Sequence, residues 1–207
     1  MDKTPKLLLA STNSGKIKEY RLLLAGLGYE ITTLAECGVG KVATEPGNSY
    51  EQNAMAKAAT YAKLSHLITL ADDSGLEVDA LGGEPGIYSA RFAGKDTTDA
   101  DRVRALLARL DGIAWERRIA RFKCVIAIAT VEGQLELCPG ECQGMIAFEA
   151  RGENGFGYDP IFYLPEMDKT MAELTLEIKN KISHRAQASQ KVWQALKRAP
   201  HVGLLTS

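Results

Sequence analysis

The period of the apolar residues changes partway along this chain, and that change limits its fold more than any other feature. "KLLLA" (Lys6 to Ala10) reads as a buried strand, and "STNSGK" turns it into a helix with Ile17, Tyr20, Leu24 and Leu27 on one face and a stop at Gly28. "YEITTL" is a second strand; Asn48 with Glu51 then forms a capping box ahead of an alanine-rich helix running to about Leu64. "HLITLA" and "LEVDAL" are short strands on either side of "DDSG", and "LGGEPGIYSARFAG" is a shaped loop. Thr98 and Asp101 start a helix packed through Val103, Leu106, Leu107 and Leu110. From there the period shortens: "ARFKCVIAIAT" and "GQLELCPGECQGMIAFEA" are consecutive strands with a hairpin at Gly133. A glycine-rich loop, "RGENGFGYDPIFYLPE", follows, and a last helix begins near Ser183 with Ala188, Val192 and Leu196 buried. Alternating strands and helices followed by a run of strands predict an α/β fold on one mixed β-sheet, with no repeat and no linker.

Charge narrows the partners. Lys and Arg total 25 against 26 for Asp and Glu, so bulk attraction to polymeric nucleic acid or to an anionic membrane is not expected. The apolar stretch in "MDKTPKLLLASTN" is too short for a signal-peptide core, which predicts a cytoplasmic protein. Cys37, Cys124, Cys138 and Cys142 lack the spacing of a zinc site and are expected to be free thiols.

"STNSGK" places Ser11, Thr12, Asn13, Ser14, Gly15 and Lys16 where a strand becomes a helix, and the unpaired N–H groups of a first helical turn attract anions. It is not a P-loop, because Ala10 stands where the first glycine is required and Ile17 where the hydroxyl is required. Alone it fits a plain helix cap or a phosphate site. "KNKISHR" is similarly two-sided: Lys179, Lys181, His184 and Arg185 form either a solvated basic edge or a set of anion contacts at a helix start.

In "LADDSGLEVDAL" two acids stand side by side at the end of an apolar run. Alternation along an extended segment sends Asp72 and Asp73 to opposite faces, so one can hold structure while the other meets substrate. One carboxylate suffices for Mg²⁺ when phosphate and water supply the other ligands, and Glu45, before Pro46 and Gly47, is the candidate assistant. "DDSG" also fits an ordinary turn.

Five stretches, "LLLASTNSGKIKE", "ATEPGNSYEQNAMAKA", "ADDSGLEVDALGGEPGIYSARFAG", "GFGYDPIF" and "KISHRAQA", occur in the order found in the inosine triphosphate pyrophosphatase family, which the chain resembles from residue 6 to about 196. The resemblance implies an elongated mixed sheet flanked by helices, two lobes with a central active-site cleft, and a homodimer. It implies Mg²⁺-dependent hydrolysis of ITP, dITP or XTP to the monophosphate and pyrophosphate. Carried over residue by residue, Ser11 to Lys16 hold the triphosphate, Asp73 is the catalytic base and a metal ligand, Glu45 is the second metal ligand, and Ser74 contacts substrate. Phe156, Gly157, Tyr158, Asp159, Lys179, His184 and Arg185 recognise the base. The chain departs from many relatives at Thr12, where they have glycine, and at Gln52, where they have glutamate. A pyrophosphatase of the septum-formation-inhibitor type and a non-catalytic nucleotide-binding module are the rival readings.

Overall fold

The computed structural model describes residues 4–40 and 47–198. Seven strands form one sheet: β1 (Lys6–Leu9), β2 (Glu30–Thr33), β3 (Ile68–Val78), β4 (Ile119–Ala129), β5 (Leu135–Ile146), β6 (Phe162–Leu164) and β7 (Lys169–Thr170), in the order β2-β1-β3-β4-β5-β6-β7. β1 is parallel to both neighbours, with Leu7 opposite Ile31 on one side and Ile68 on the other. β6 is antiparallel to β5 and to β7, so the sheet is mixed, as the change of period requires. Among the described residues five α-helices accompany it: α1 (Ser14–Leu23), α2 (Tyr50–Ser65), α3 (Asp99–Arg109), α4 (Leu176–Ile182) and α5 (His184–Arg198).

The chain packs as two compact units. The first holds the residues up to Asp73, Cys124–Gly140, and the chain from Ala186 onward; the second holds Ser74–Lys123 and Glu141–Arg185. In the first unit Leu7, Leu9, Leu70, Ile126 and Ile128 from the strands pack with Tyr20 and Leu24 from α1 and its end and with Ala188 and Val192 from α5. α2 presents Ala54, Ala58 and Ala62, three fully buried alanines spaced by four, a face that is both helix-favouring and thin. In the second unit Leu76 and Val78 pack with Val103, Leu106 and Leu110 of the α3 segment and with Phe122, Ile146 and Phe162.

Several boundaries differ from those expected. The turn at "DDSG" is absent: β3 runs unbroken from Ile68 to Val78, with strands on both sides and Gly75 within it. α1 ends at Leu23 rather than at Gly28. The cap of α2 is Ser49, whose Oγ accepts the Gln52 N–H at 3.3 Å, while Gln52 Oε1 accepts the Asn48 N–H at 2.9 Å. Thr98 and Asp101 do start α3 as expected, through a reciprocal capping box. At the end of the chain two helices meet at Ser183, which closes α4 immediately before α5. Seven residues of α4 are too few for a 3.6-residue period to stand out, which is why only α5 is legible in the sequence.

In the second unit Arg118, 3% exposed, donates from Nε to the Ile146 carbonyl at 2.8 Å, from Nη1 to Leu110 at 2.9 Å and from Nη2 to Ala147 at 3.0 Å. Burial pulls its guanidinium below the usual arginine range, and the three carbonyls satisfy it.

All four cysteines are free thiols. Burial pushes Cys138 and Cys142 each up to about 11. Only the thiolate is strongly nucleophilic, so both should resist iodoacetamide at pH 8 in the folded protein and react after denaturation; mass spectrometry of the two states measures this.

Candidate active site

In the first unit, Asn13 fixes the start of α1: its Oδ1 accepts the Lys16 N–H at 2.9 Å, and its own N–H donates to Ser11 Oγ at 3.2 Å. Thr12, Asn13 and Ser14 are exposed, and no acidic residue occupies the first turn. The positive end of the helix therefore has no carboxylate of its own helix beside it, the condition that favours an anionic ligand.

Asp72 and Asp73, only 3% and 7% exposed, engage different helices, as alternation along a strand demands. Asp72 Oδ2 lies 2.7 Å from the Lys16 ammonium of α1. Asp73 Oδ2 accepts from Asn53 Nδ2 of α2 at 2.9 Å, and its Oδ1 lies 3.6 Å from the Lys57 ammonium. Lys57 also donates to the Asp72 carbonyl at 2.5 Å. Asn53 Oδ1 accepts the Gly47 N–H at 2.9 Å, so its amide is held from both ends and presents its NH₂ to Asp73. Burying two adjacent like charges is costly unless each is countered, and these helices supply the counter-charges from a distance in sequence.

Asn53 and Lys57 are the residues that sequence reading missed. Their spacing of four places both on one face of α2, next to the alanine face, and a polar pair at that spacing on a largely small-residue helix was the available signal. Gln52 serves the helix cap, its Oε1 accepting the Asn48 N–H. Glu45 lies outside the described residues.

In the second unit, Lys179 of α4 forms a buried ion pair with Asp159, each side chain 3% exposed. Asp159 Oδ2 also accepts the Phe156 N–H at 2.9 Å. The Phe156 ring has the Lys179 ammonium 4.9 Å and the Arg185 guanidinium 5.2 Å from its centroid, within cation–π range. Arg185 Nη2 donates to Ser74 Oγ at 3.3 Å, and His184 stacks on Phe122 with ring centroids 4.8 Å apart. The Tyr158 hydroxyl donates to the Ser89 carbonyl at 2.9 Å, and burial pushes that phenol well above the usual tyrosine range; its side chain anchors the loop in the core. The Gly157 N–H donates to Asp99 Oδ2 at 2.7 Å. The solvated basic edge is thus corrected at three positions: Lys179, His184 and Arg185 are all buried, and only Lys181 is an exposed charge, paired with Glu177.

Among the described residues no group of three or more His, Cys, Asp or Glu forms a protein-only metal cage. The donor chemistry nonetheless fits Mg²⁺, since a hard carboxylate oxygen at Asp73 is the kind of single protein ligand that this ion combines with phosphate oxygens and water.

The family model described as Ham1 family matches residues 7–195. The dITP/XTP pyrophosphatase of Desulforamulus reducens is 48% identical over 93% of this chain and 96% of its own length, and that of Bacillus subtilis is 46% identical over 91% and 96%. Among solved structures, a HAM1 protein from Coxiella burnetii superposes with a TM-score of 0.85 at 42% identity, covering 94% of this chain and 100% of the other.

The Lys179–Asp159 pair makes a stability prediction. Lys179→Met leaves a buried carboxylate without its ammonium and should destabilise the protein by about 3–5 kcal/mol in urea titration, whereas Asp159→Asn combined with Lys179→Met should cost markedly less. Equal losses in the single and double variants would contradict the pairing.

Proposed function

The chain belongs to the Ham1 family, and on that premise we propose that it hydrolyses non-standard purine nucleoside triphosphates, namely ITP, dITP and XTP, to the monophosphate and pyrophosphate. The observation that carries the reading is the Asp73 carboxylate, buried yet held by Asn53 on one oxygen and faced by Lys57 on the other. A carboxylate so fixed and charge-balanced is suited to orienting a water and taking its proton. The reading treats the whole chain as one pyrophosphatase domain, with Mg²⁺ as cofactor, Glu45 as its second ligand, the cytoplasm as compartment and a homodimer as the working form. No helix among the described residues is long and apolar enough to cross a membrane.

The oxygen of a water aligned with the α-phosphorus bonds to that phosphorus as Asp73 takes its proton, and the bond from the α-phosphorus to the oxygen bridging to the β-phosphate breaks, so pyrophosphate leaves as a unit. Mg²⁺, when bound, supplies charge neutralisation on the phosphate oxygens. Asn53 prevents the carboxylate from rotating during proton transfer, and Lys57 balances its charge. Lys16 has three N–H donors; one directed to Asp72 leaves two for phosphate, beside the N–H groups of α1 and the short side chains of Ser11, Thr12, Asn13 and Ser14. Ser74 contributes a hydroxyl to the substrate. Asp72 is a holder of Lys16 rather than a second base.

Base choice follows from donors. Hypoxanthine and xanthine carry an oxygen acceptor at C6, which Lys179 and Arg185, with His184 beside them, can satisfy while the purine lies on Phe156 and along the backbone of Gly157, Tyr158 and Asp159. Adenine offers an amino group there and leaves buried donors unpaired at about 1–3 kcal/mol each, a discrimination on the order of ten- to a hundredfold per donor.

Purified protein given ITP and Mg²⁺ should yield IMP and pyrophosphate; IDP with orthophosphate, or faster turnover of dTTP and UTP than of ITP, would overturn the assignment. Asp73→Asn should lower kcat by about 10²–10⁴-fold with KM for ITP nearly constant, since it removes the base and leaves the purine contacts intact. A kcat within a factor of two of the parent, read from pyrophosphate release, would remove Asp73 from the mechanism.

A further inference from the structure

We propose that Asp99, at the first turn of α3, is a positioning residue that sets the purine-contacting loop by holding the Gly157 amide; the proposal rests on the base-reading role given to that loop. Gly155 and Gly157 flank Phe156 and both sit at positive φ, +79° and +64°, so the loop has little intrinsic stiffness on either side of its ring. Two successive N–H groups of this turn each end on a carboxylate: Phe156 N on Asp159 Oδ2 at 2.9 Å, Gly157 N on Asp99 Oδ2 at 2.7 Å. Consecutive amides of this kind form a small anion-binding concavity. The two carboxylates are not equivalent. Asp159 lies in the same turn and would travel with it, whereas Asp99 is 58 residues away and starts a capped helix.

Asp99 is itself held. Its other oxygen takes Arg102 Nη2, and Arg102 Nη1 is tied to the Thr97 carbonyl at 2.6 Å and the Ala90 carbonyl at 3.3 Å. A rigid chain of contacts therefore runs from the backbone before α3, through Arg102 and Asp99, to the amide next to Phe156. Asp99 touches neither nucleotide nor reacting atoms in this scheme. It fixes where the ring lies, and so it should act on affinity and base choice rather than on the chemical step.

Steady-state kinetics on the full-length protein with ITP, GTP and Mg²⁺ tests this. Asp99→Ala should raise KM for ITP by about tenfold, as expected for loss of one charge-assisted hydrogen bond, with kcat within twofold and a reduced preference for ITP over GTP. Asp99→Asn, which keeps an acceptor for the amide, should recover most of the ITP KM. Asp101→Ala breaks the capping box of the same turn without touching Gly157 and should leave KM within twofold. An equal KM rise in the Asp101 variant, or a loss of kcat at constant KM in the Asp99 variant, would overturn the proposal. Hydrogen–deuterium exchange without nucleotide separates it from the function assigned above. Faster exchange confined to residues 155–158 in Asp99→Ala supports the clamp even if ITP is not the substrate, and unchanged exchange there rejects the clamp even if it is.

Discussion

Burying two neighbouring carboxylates in a strand is the constraint around which the first unit is arranged. A strand with Asp72 and Asp73 at 3% and 7% exposure cannot stand alone, because each charge taken from water must find a partner of opposite sign or a dense set of donors. α1 answers with Lys16 and α2 with Asn53 and Lys57. Packing and charge act together here, since Tyr20 of α1 shares a core with Leu70 of β3 while Lys16 meets Asp72. The same arrangement divides the neighbours between helices, Asp72 meeting Lys16 of α1 and Asp73 meeting Asn53 and Lys57 of α2.

The second unit solves a related problem with a loop. Two cations lie within cation–π range of the Phe156 ring, Lys179 paired with Asp159 of the same turn and Arg185 bonded to Ser74. Glycines give the loop its shape, and carboxylates at both of its central amides give it its place. Anchoring of this kind sets the directions of the Lys179 and Arg185 donors without a ligand.

Much of this was legible in the residues. The mixed sheet followed from the change of period, the start of α3 from Thr98 and Asp101, and the departure of Asp72 and Asp73 toward different helices from simple alternation. What escaped was non-local. "DDSG" has the composition of a turn, yet it lies inside β3, which pairs with β1 just before it, at Ile68 to Leu70, and has β4 on its other side. Asn53 and Lys57 look like ordinary helix-surface polar residues until β3 is brought against α2. Lys179 fitted a solvated edge as well as a ligand contact because α4 is too short to announce itself, and its buried pairing is with Asp159, twenty residues earlier.

The guanidinium of Arg118, clasped by the carbonyls of Leu110, Ile146 and Ala147, differs in kind from the aspartate–lysine pairs. Main-chain oxygens do not take up protons in ordinary acid, so this fastening between the end of α3 and the strand edge at Ile146 has no titrating half. The aspartate–lysine pairs need a charge on both partners, whereas this contact needs one on the arginine alone. Replacing Arg118 by a neutral side chain would strand three main-chain acceptors rather than a buried carboxylate.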